Sequence, residues 1–186
     1  MDQILYCGSL EFKSPSRNLL MLILTVDDLP WFDTYAGQSV GQLLSLKGKY
    51  RIDSLVTTIA NQLALRQGPN GSIPKYSAQE WTVLVVQALE TSVNGDGFEG
   101  FFADNAIYAA KVVESFKAIG CPKMAAIVQK AVVKLKVNNL ADVEAVEEAS
   151  HENFDLLDKK FYEYPENPKK HFLNTSPSTL IPSVCP

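Results

Sequence analysis

The sequence predicts an all-α protein: a compact single domain of about seven to nine helices with an irregular C-terminal arm. Three observations carry this. Apolar residues recur at i, i+3 and i+4 through most of residues 49–137. Capping residues and glycine stops punctuate those stretches at helical lengths. No segment shows a convincing strand alternation.

Taken in order, Leu19 to Val26 is a continuous apolar run, and periodicity does not separate a short strand from a buried helix there. Asp27 or Asp28 is placed to cap a short helix through Tyr35 that ends at Gly37. Ser39 reads as the cap of another short helix, Val40 to Lys47, stopped by Gly48. Tyr50, Ile52, Leu55, Val56, Ile59 and Leu63 make one face of an amphipathic helix over about 49–67. Gly68-Pro69-Asn70-Gly71 ends it. Ser77-Ala78-Gln79-Glu80 is a capping box opening a helix over 78–93. Trp81, Val83, Leu84, Val85, Val86 and Leu89 make that helix apolar on most sides, so it is the central one. Asn94-Gly95-Asp96-Gly97 then breaks the chain directly before Phe98, Phe101 and Phe102, giving a short helix over about 98–103. Two more helices follow over about 106–119 and from Pro122 to Val137, separated by Gly120. Residues 140–150 and 153–163 are two further helical pieces or one bent helix. From Pro165 on, five prolines in 22 residues preclude a regular helix. The organisation expected is an N-terminal extension (1–26), a helical domain (27–163) and a proline-rich tail (164–186).

At 186 residues such a chain can bury roughly 70% of its unfolded surface, so stability needs neither disulfide nor metal. Cys7, Cys121 and Cys185 are far apart and odd in number, which suggests no disulfide framework or zinc site and points to a reducing, cytoplasmic setting. The N-terminus, with Asp2 at its head, has no basic n-region of a signal peptide, and the longest apolar run is too short to span a bilayer. A net charge of −4 argues against wrapping nucleic acid on a basic surface.

No catalytic or metal-ligating constellation is expected, and no cofactor. The two histidines are His151, in an acidic stretch, and His171. Gly95-Asp96-Gly97 reads as a turn rather than a phosphate cradle, since no strand precedes it and no lysine follows closely. Phe98, Phe101, Phe102, Tyr108 and Trp81 have the spacing of core residues, with a ligand pocket as the alternative. Trp31, Phe32 and Tyr35 form a candidate aromatic patch for a partner. The sharpest clue is charge. Residues 139–158 hold Asp142, Glu144, Glu147, Glu148, Glu152, Asp155 and Asp158 and no lysine or arginine. Residues 101–138 hold six lysines against Asp104 and Glu114. On one helix, Glu144, Glu148, Glu152 and Asp155 would form a ladder rising about 6 Å per four residues. It would be either a solvated face or a surface for a basic partner.

From Leu29 to Tyr162 the chain resembles the bacterial DNA-mimic proteins, a family mostly of unknown function. The resemblance rests on Tyr35-Ala36-Gly37-Gln38-Ser39 with Leu43-Leu44 and Tyr50-Arg51-Ile52-Asp53-Ser54-Leu55. It rests also on Asn94 and Gly95 leading through Gly97 into Phe98 and Phe101-Phe102, and on Ala118-Ile119-Gly120 and Leu157-Asp158 with Phe161-Tyr162. The family usually shows Asn-Gly-Gly-Phe, an amide before the aromatic pair, then Asn. Here Asp96 is inserted, Gly100 replaces the amide and Asp104 stands where Asn is common. The resemblance implies a mostly helical fold, often a homodimer. In its structurally described member it implies an imitation of DNA that occupies the DNA-binding face of a transcription factor. The function this suggests is a non-enzymatic interaction module with a protein partner and no direct nucleic-acid or membrane binding. Its acidic face would be Asp142, Glu144, Glu147, Glu148, Glu152, Asp155 and Asp158. The alternative is an immunity or adaptor protein using Trp31, Phe32 and Tyr35.

Overall fold

The computed structural model describes residues 29–67 and 74–172. Among them are eight α-helices and no strand: α1 (Val40–Leu44), α2 (Ile52–Ala64), α3 (Ala78–Asp104), α4 (Val112–Ala118), α5 (Pro122–Lys134), α6 (Val143–Glu148), α7 (Asp155–Tyr162) and α8 (Pro168–Phe172). The all-α class expected from periodicity is therefore the class observed. The apolar run 19–26, the Asp27 or Asp28 cap, residues 68–73 and the chain beyond Phe172 lie outside the described residues.

Helix α3 is the axis of the fold and packs against α2, α4, α6 and α7. Its entry is the capping box read from sequence: the Glu80 N–H donates to Ser77 Oγ (3.2 Å) and the Ser77 N–H to Glu80 Oε2 (2.8 Å). Val83, Leu84, Val85, Val86, Leu89 and Val93 are all buried. Burial on several sides thus overrides the modest strand preference of the β-branched run.

The break near residue 94 sits further along than the Asn-Gly pair indicates. Helical backbone continues through Asn94 and Gly95, and the kink falls at Gly97 (φ 72°, ψ −172°), inside α3. A Cβ at Gly97 would lie 2.8 Å from Asp158 Oδ2, so the position needs glycine both for its backbone and for its space. Gly100 has a related cause, since a Cβ there would collide with that of Asp96. After the kink Phe98, Phe101 and Phe102 are fully buried. They form a cluster with Phe154 and Phe161, with ring centroids 5.2–6.2 Å apart across its close pairs. The phenylalanines are core, not pocket lining.

Four other boundaries differ from expectation. Residues 29–38 form no helix; the Phe32 N–H donates to Ser54 Oγ (3.0 Å) and the Arg51 N–H to the Pro30 carbonyl (2.9 Å), laying the segment across the start of α2. The helix expected over 106–119 splits into a 3₁₀ turn, Ala106–Tyr108, and α4. Helix α5 stops at Lys134, with Lys136 left-handed (φ 57°). Residues 164–172 pack on the body rather than trail from it, with Pro168 at the first position of α8 and both Pro168 and Phe172 buried.

Gly97→Ala should lower the unfolding free energy by about 1–3 kcal/mol, because it forces a left-handed alanine against Asp158. Lys136→Gly should raise it by about 0.5–1 kcal/mol, because the left-handed strain goes while only an exposed ion pair to Glu152 is lost. Urea unfolding midpoints at constant m-value check both.

Candidate functional site

The acidic stretch does not form the single-helix ladder that its spacing suggested. Helix α6 carries Glu144, Glu147 and Glu148, all exposed. A 3₁₀ turn, Ala149–His151, follows it, and Glu152 is extended (φ −68°, ψ 148°). Helix α7 then starts on a separate course, so Glu152 and Asp155 do not continue the α6 row. The break has local causes. Asp142 caps α6 by accepting the Ala145 N–H (3.2 Å), and the Asn153 side chain accepts the Asp155 N–H (3.1 Å). The first fixes where α6 begins; the second is turn chemistry between α6 and α7 that ends helical continuity. Glu152 is also offset by Lys136, 3.5 Å away and just beyond the lysine-rich α5.

Asp158 is not a free surface acid. It is half-buried, and its Oδ1 accepts the Phe98 N–H (2.9 Å) across the Gly97 kink. Burial pushes its carboxyl above the usual range, the hydrogen bond opposes this, and Asp155 and Glu99 raise it further. Those neighbours mark an acidic cluster assembled from two elements: Asp96 and Glu99 of α3, Asp155 and Asp158 of α7. Tyr162 reports the same field, since its phenol is raised by burial and then by Asp158 and Asp96, while its hydroxyl donates to the Val93 carbonyl (2.7 Å). His151 lies here, its Nδ1 3.4 Å from Glu99 Oε1. Of the seven acids singled out in sequence, Asp155 and Asp158 therefore meet Glu99, and Asp96 joins them.

The aromatic patch is divided. Trp31 is 54% exposed and Tyr35 37%, but Phe32 is 4% exposed and sits edge-on to Tyr50 at 5.1 Å. Phe32 is a core residue, which corrects its assignment to a partner surface. The Arg51 guanidinium lies 5.5 Å from the Trp31 ring.

Two glycine spacings match catalytic motifs in letters alone. Gly37-Gln38-Ser39-Val40-Gly41 has the spacing of a nucleophile elbow, but Ser39 Oγ accepts the Gln42 N–H (3.3 Å) as the cap of α1, and no strand leads into it. Gly95, Gly97 and Gly100 have dinucleotide-fingerprint spacing, but they lie within kinked α3 and not between a strand and a helix. Among the described residues no group of three His, Cys, Asp or Glu side chains is placed to hold a metal ion. Among them, too, no helix is long and apolar enough to cross a membrane.

Sequence reading passed over two carboxylates with structural work. Glu166, in the proline-rich stretch, accepts the Lys123 and Met124 N–H groups (2.9 and 3.0 Å) and so caps α5. Glu90, 2% exposed on α3, accepts from the Tyr164 hydroxyl and has Lys169 Nζ 3.6 Å from its Oε2. Burial raises the Glu90 carboxyl and pushes the neighbouring Cys121 thiol to about 12. The available signal for Glu90 was a lone acid on the apolar face of a helix, four residues from Val86.

Residues 74–175, more than half of the chain, match the family model for DMP19-like proteins, a DNA-mimic family. No curated protein matches the chain. No solved structure matches it either.

Asp158→Ala should cost about 1 kcal/mol by removing an N-cap acceptor. Asp158→Asn keeps an acceptor without the buried charge and should be much milder. The folded carboxyl is raised, so the folded state binds more protons than the unfolded one. Its contribution is complete at acid pH and is lost as pH rises through the raised value. Asp158→Asn should remove that part of the decline, read as unfolding midpoints between about pH 4 and 7.

Proposed function

We infer that this chain, which belongs to the DMP19-like family of DNA-mimic proteins, is a non-enzymatic module whose acidic face occupies the DNA-binding surface of a regulatory protein. The observation that supports this reading is the convergence of Asp96, Glu99, Asp155 and Asp158 around the Gly97 kink, with Glu144, Glu147 and Glu148 on adjoining α6. These three α6 glutamates span about 6 Å of helix axis, a length in which one DNA strand presents about two phosphates. The local charge density is thus comparable to that of DNA although the chain nets only −4. Asp142 and Glu152 contribute at the margin, since one is a cap and the other is offset by Lys136. A basic protein surface is the complementary partner, and nucleic acid is its competitor. The setting proposed is the cytoplasm, and a homodimer would present the face twice.

The test is capture of partners from the native host's lysate at low and high salt. Its quantitative arm uses two charge-neutralised sets, Glu144→Gln/Glu147→Gln/Glu148→Gln and Asp96→Asn/Glu99→Gln/Asp155→Asn. A DNA-binding protein released by salt is expected. Either set should weaken its binding by about tenfold and flatten the salt dependence. Salt-resistant binding that survives both sets but fails on Trp31→Ala would replace this reading with the adaptor one.

A further inference from the structure

We propose that the cleft between the start of α2 and the C-terminal strap binds a small phosphate-class oxyanion. The cleft has a volume of about 210 Å³ and is walled by Arg51, Asp53, Tyr164, Asn167, Lys169 and Lys170. Among the described residues three cations thus face one carboxylate, whereas the whole chain has 17 basic and 21 acidic residues. Among the described residues, counting Glu90 behind Lys169, an excess of one positive charge remains. Like charges gathered round so small a volume repel one another, and a bound anion relieves that repulsion.

Each acid is already committed, and its commitment fixes a cation. Asp53 holds Arg51 in a two-pronged pair, Nε to Oδ1 at 3.1 Å and Nη2 to Oδ2 at 2.6 Å. Buried Glu90 holds Lys169 from behind, at 3.6 Å from an Oε2 that has no hydrogen-bond partner. The ammonium therefore keeps donors for the cleft side. The field is felt by Asp53, whose carboxyl is held below the usual range by its hydrogen bond to Arg51, with Lys169 adding to the effect. Helix α2, thirteen residues long, begins at Ile52 on this cleft; its cap residue Arg51 supplies no side-chain acceptor, Asp53 Oδ1 takes the Ser54 N–H (3.0 Å), and the helix dipole adds partial positive charge. Asn167 Oδ1 accepts the Lys170 N–H (3.1 Å), leaving Nδ2 as the donor end of the amide. The volume falls below the roughly 300–1,000 Å³ of drug-sized sites, which favours a compact ion over a nucleotide. A dianion suits three separated cations better than a monovalent carboxylate.

This reading is independent of the acidic face. Its test is titration of the full chain with inorganic phosphate at low ionic strength, by calorimetry and by amide NMR shifts. Saturable binding is expected, with shifts confined to residues 51–53 and 167–170. Lys170→Ala should weaken it about fivefold or more, because Lys170 is exposed and its loss leaves the core intact. Lys130→Ala, on the exposed face of α5, should not. Acetate should bind at least about tenfold more weakly. Non-saturable shifts, equal loss in the Lys130 variant, or acetate binding as tightly as phosphate would overturn the proposal.

Discussion

The structure depends on a carboxylate reaching back across 60 residues to cap a helix that begins inside another. Gly97 turns the chain within α3, and the turn leaves the Phe98 N–H without a helical partner at the edge of the core. Asp158 satisfies it. That one bond sets the direction of the segment carrying Phe98, Phe101 and Phe102, and thereby brings them against Phe154 and Phe161. Glu166 repeats the device at α5, whose own cap residue, Cys121, supplies no side-chain acceptor. Both long-range caps come from the chain after residue 154, so the C-terminal part closes helix ends that the earlier part leaves open. At Asp158 burial and the nearby Asp155 and Glu99 outweigh the favourable field of the helix end, so its carboxyl stays raised.

This use of acids changes how the charge pattern of the chain is understood. In sequence, seven acids in twenty residues look like one surface. In space they divide by task. Asp142 and Asp158 are caps, Glu152 faces Lys136, and Glu144, Glu147, Glu148 and Asp155 remain as exposed acids. The exposed acids then gain Asp96 and Glu99 from α3, which a linear count places in a different element. Net charge over a window therefore overstates one face and misses the other.

Helix existence was legible because its causes are local. The Ser77–Glu80 box, the apolar faces of α2, α3 and α5 and the Pro122 start each lie within one or two turns of sequence. Kinks and breaks were less legible because their causes are distant. Asn94-Gly95 looked like the turn, but the residue forced out of the helix is Gly97, fixed by Asp158 from a distant helix. Phe32 looked like part of a surface triad until Ser54 and Tyr50 were placed beneath it. The strap over 164–172 was hidden by its prolines, which exclude a long helix but not a five-residue one anchored by Phe172. The candidate acidic face was half legible: its residue types were visible, and its assembly from α3, α6 and α7 was not.

The residues that tie this chain to its family are mostly those with no freedom to vary. Gly97 is fixed by backbone and space, Phe98, Phe101 and Phe102 by full burial, and Asp158 by the N–H it accepts. Exposed glutamates on α6 are under no such constraint, because each makes only surface interactions worth little to stability. A lineage could therefore keep the kinked helix and its aromatic cluster while redrawing the acidic face for a new partner. Family membership consequently fixes the scaffold more firmly than the ligand; on the proposed reading the choice of partner would reside in Glu144, Glu147, Glu148 and the acids around the kink rather than in the motif that reveals the kinship.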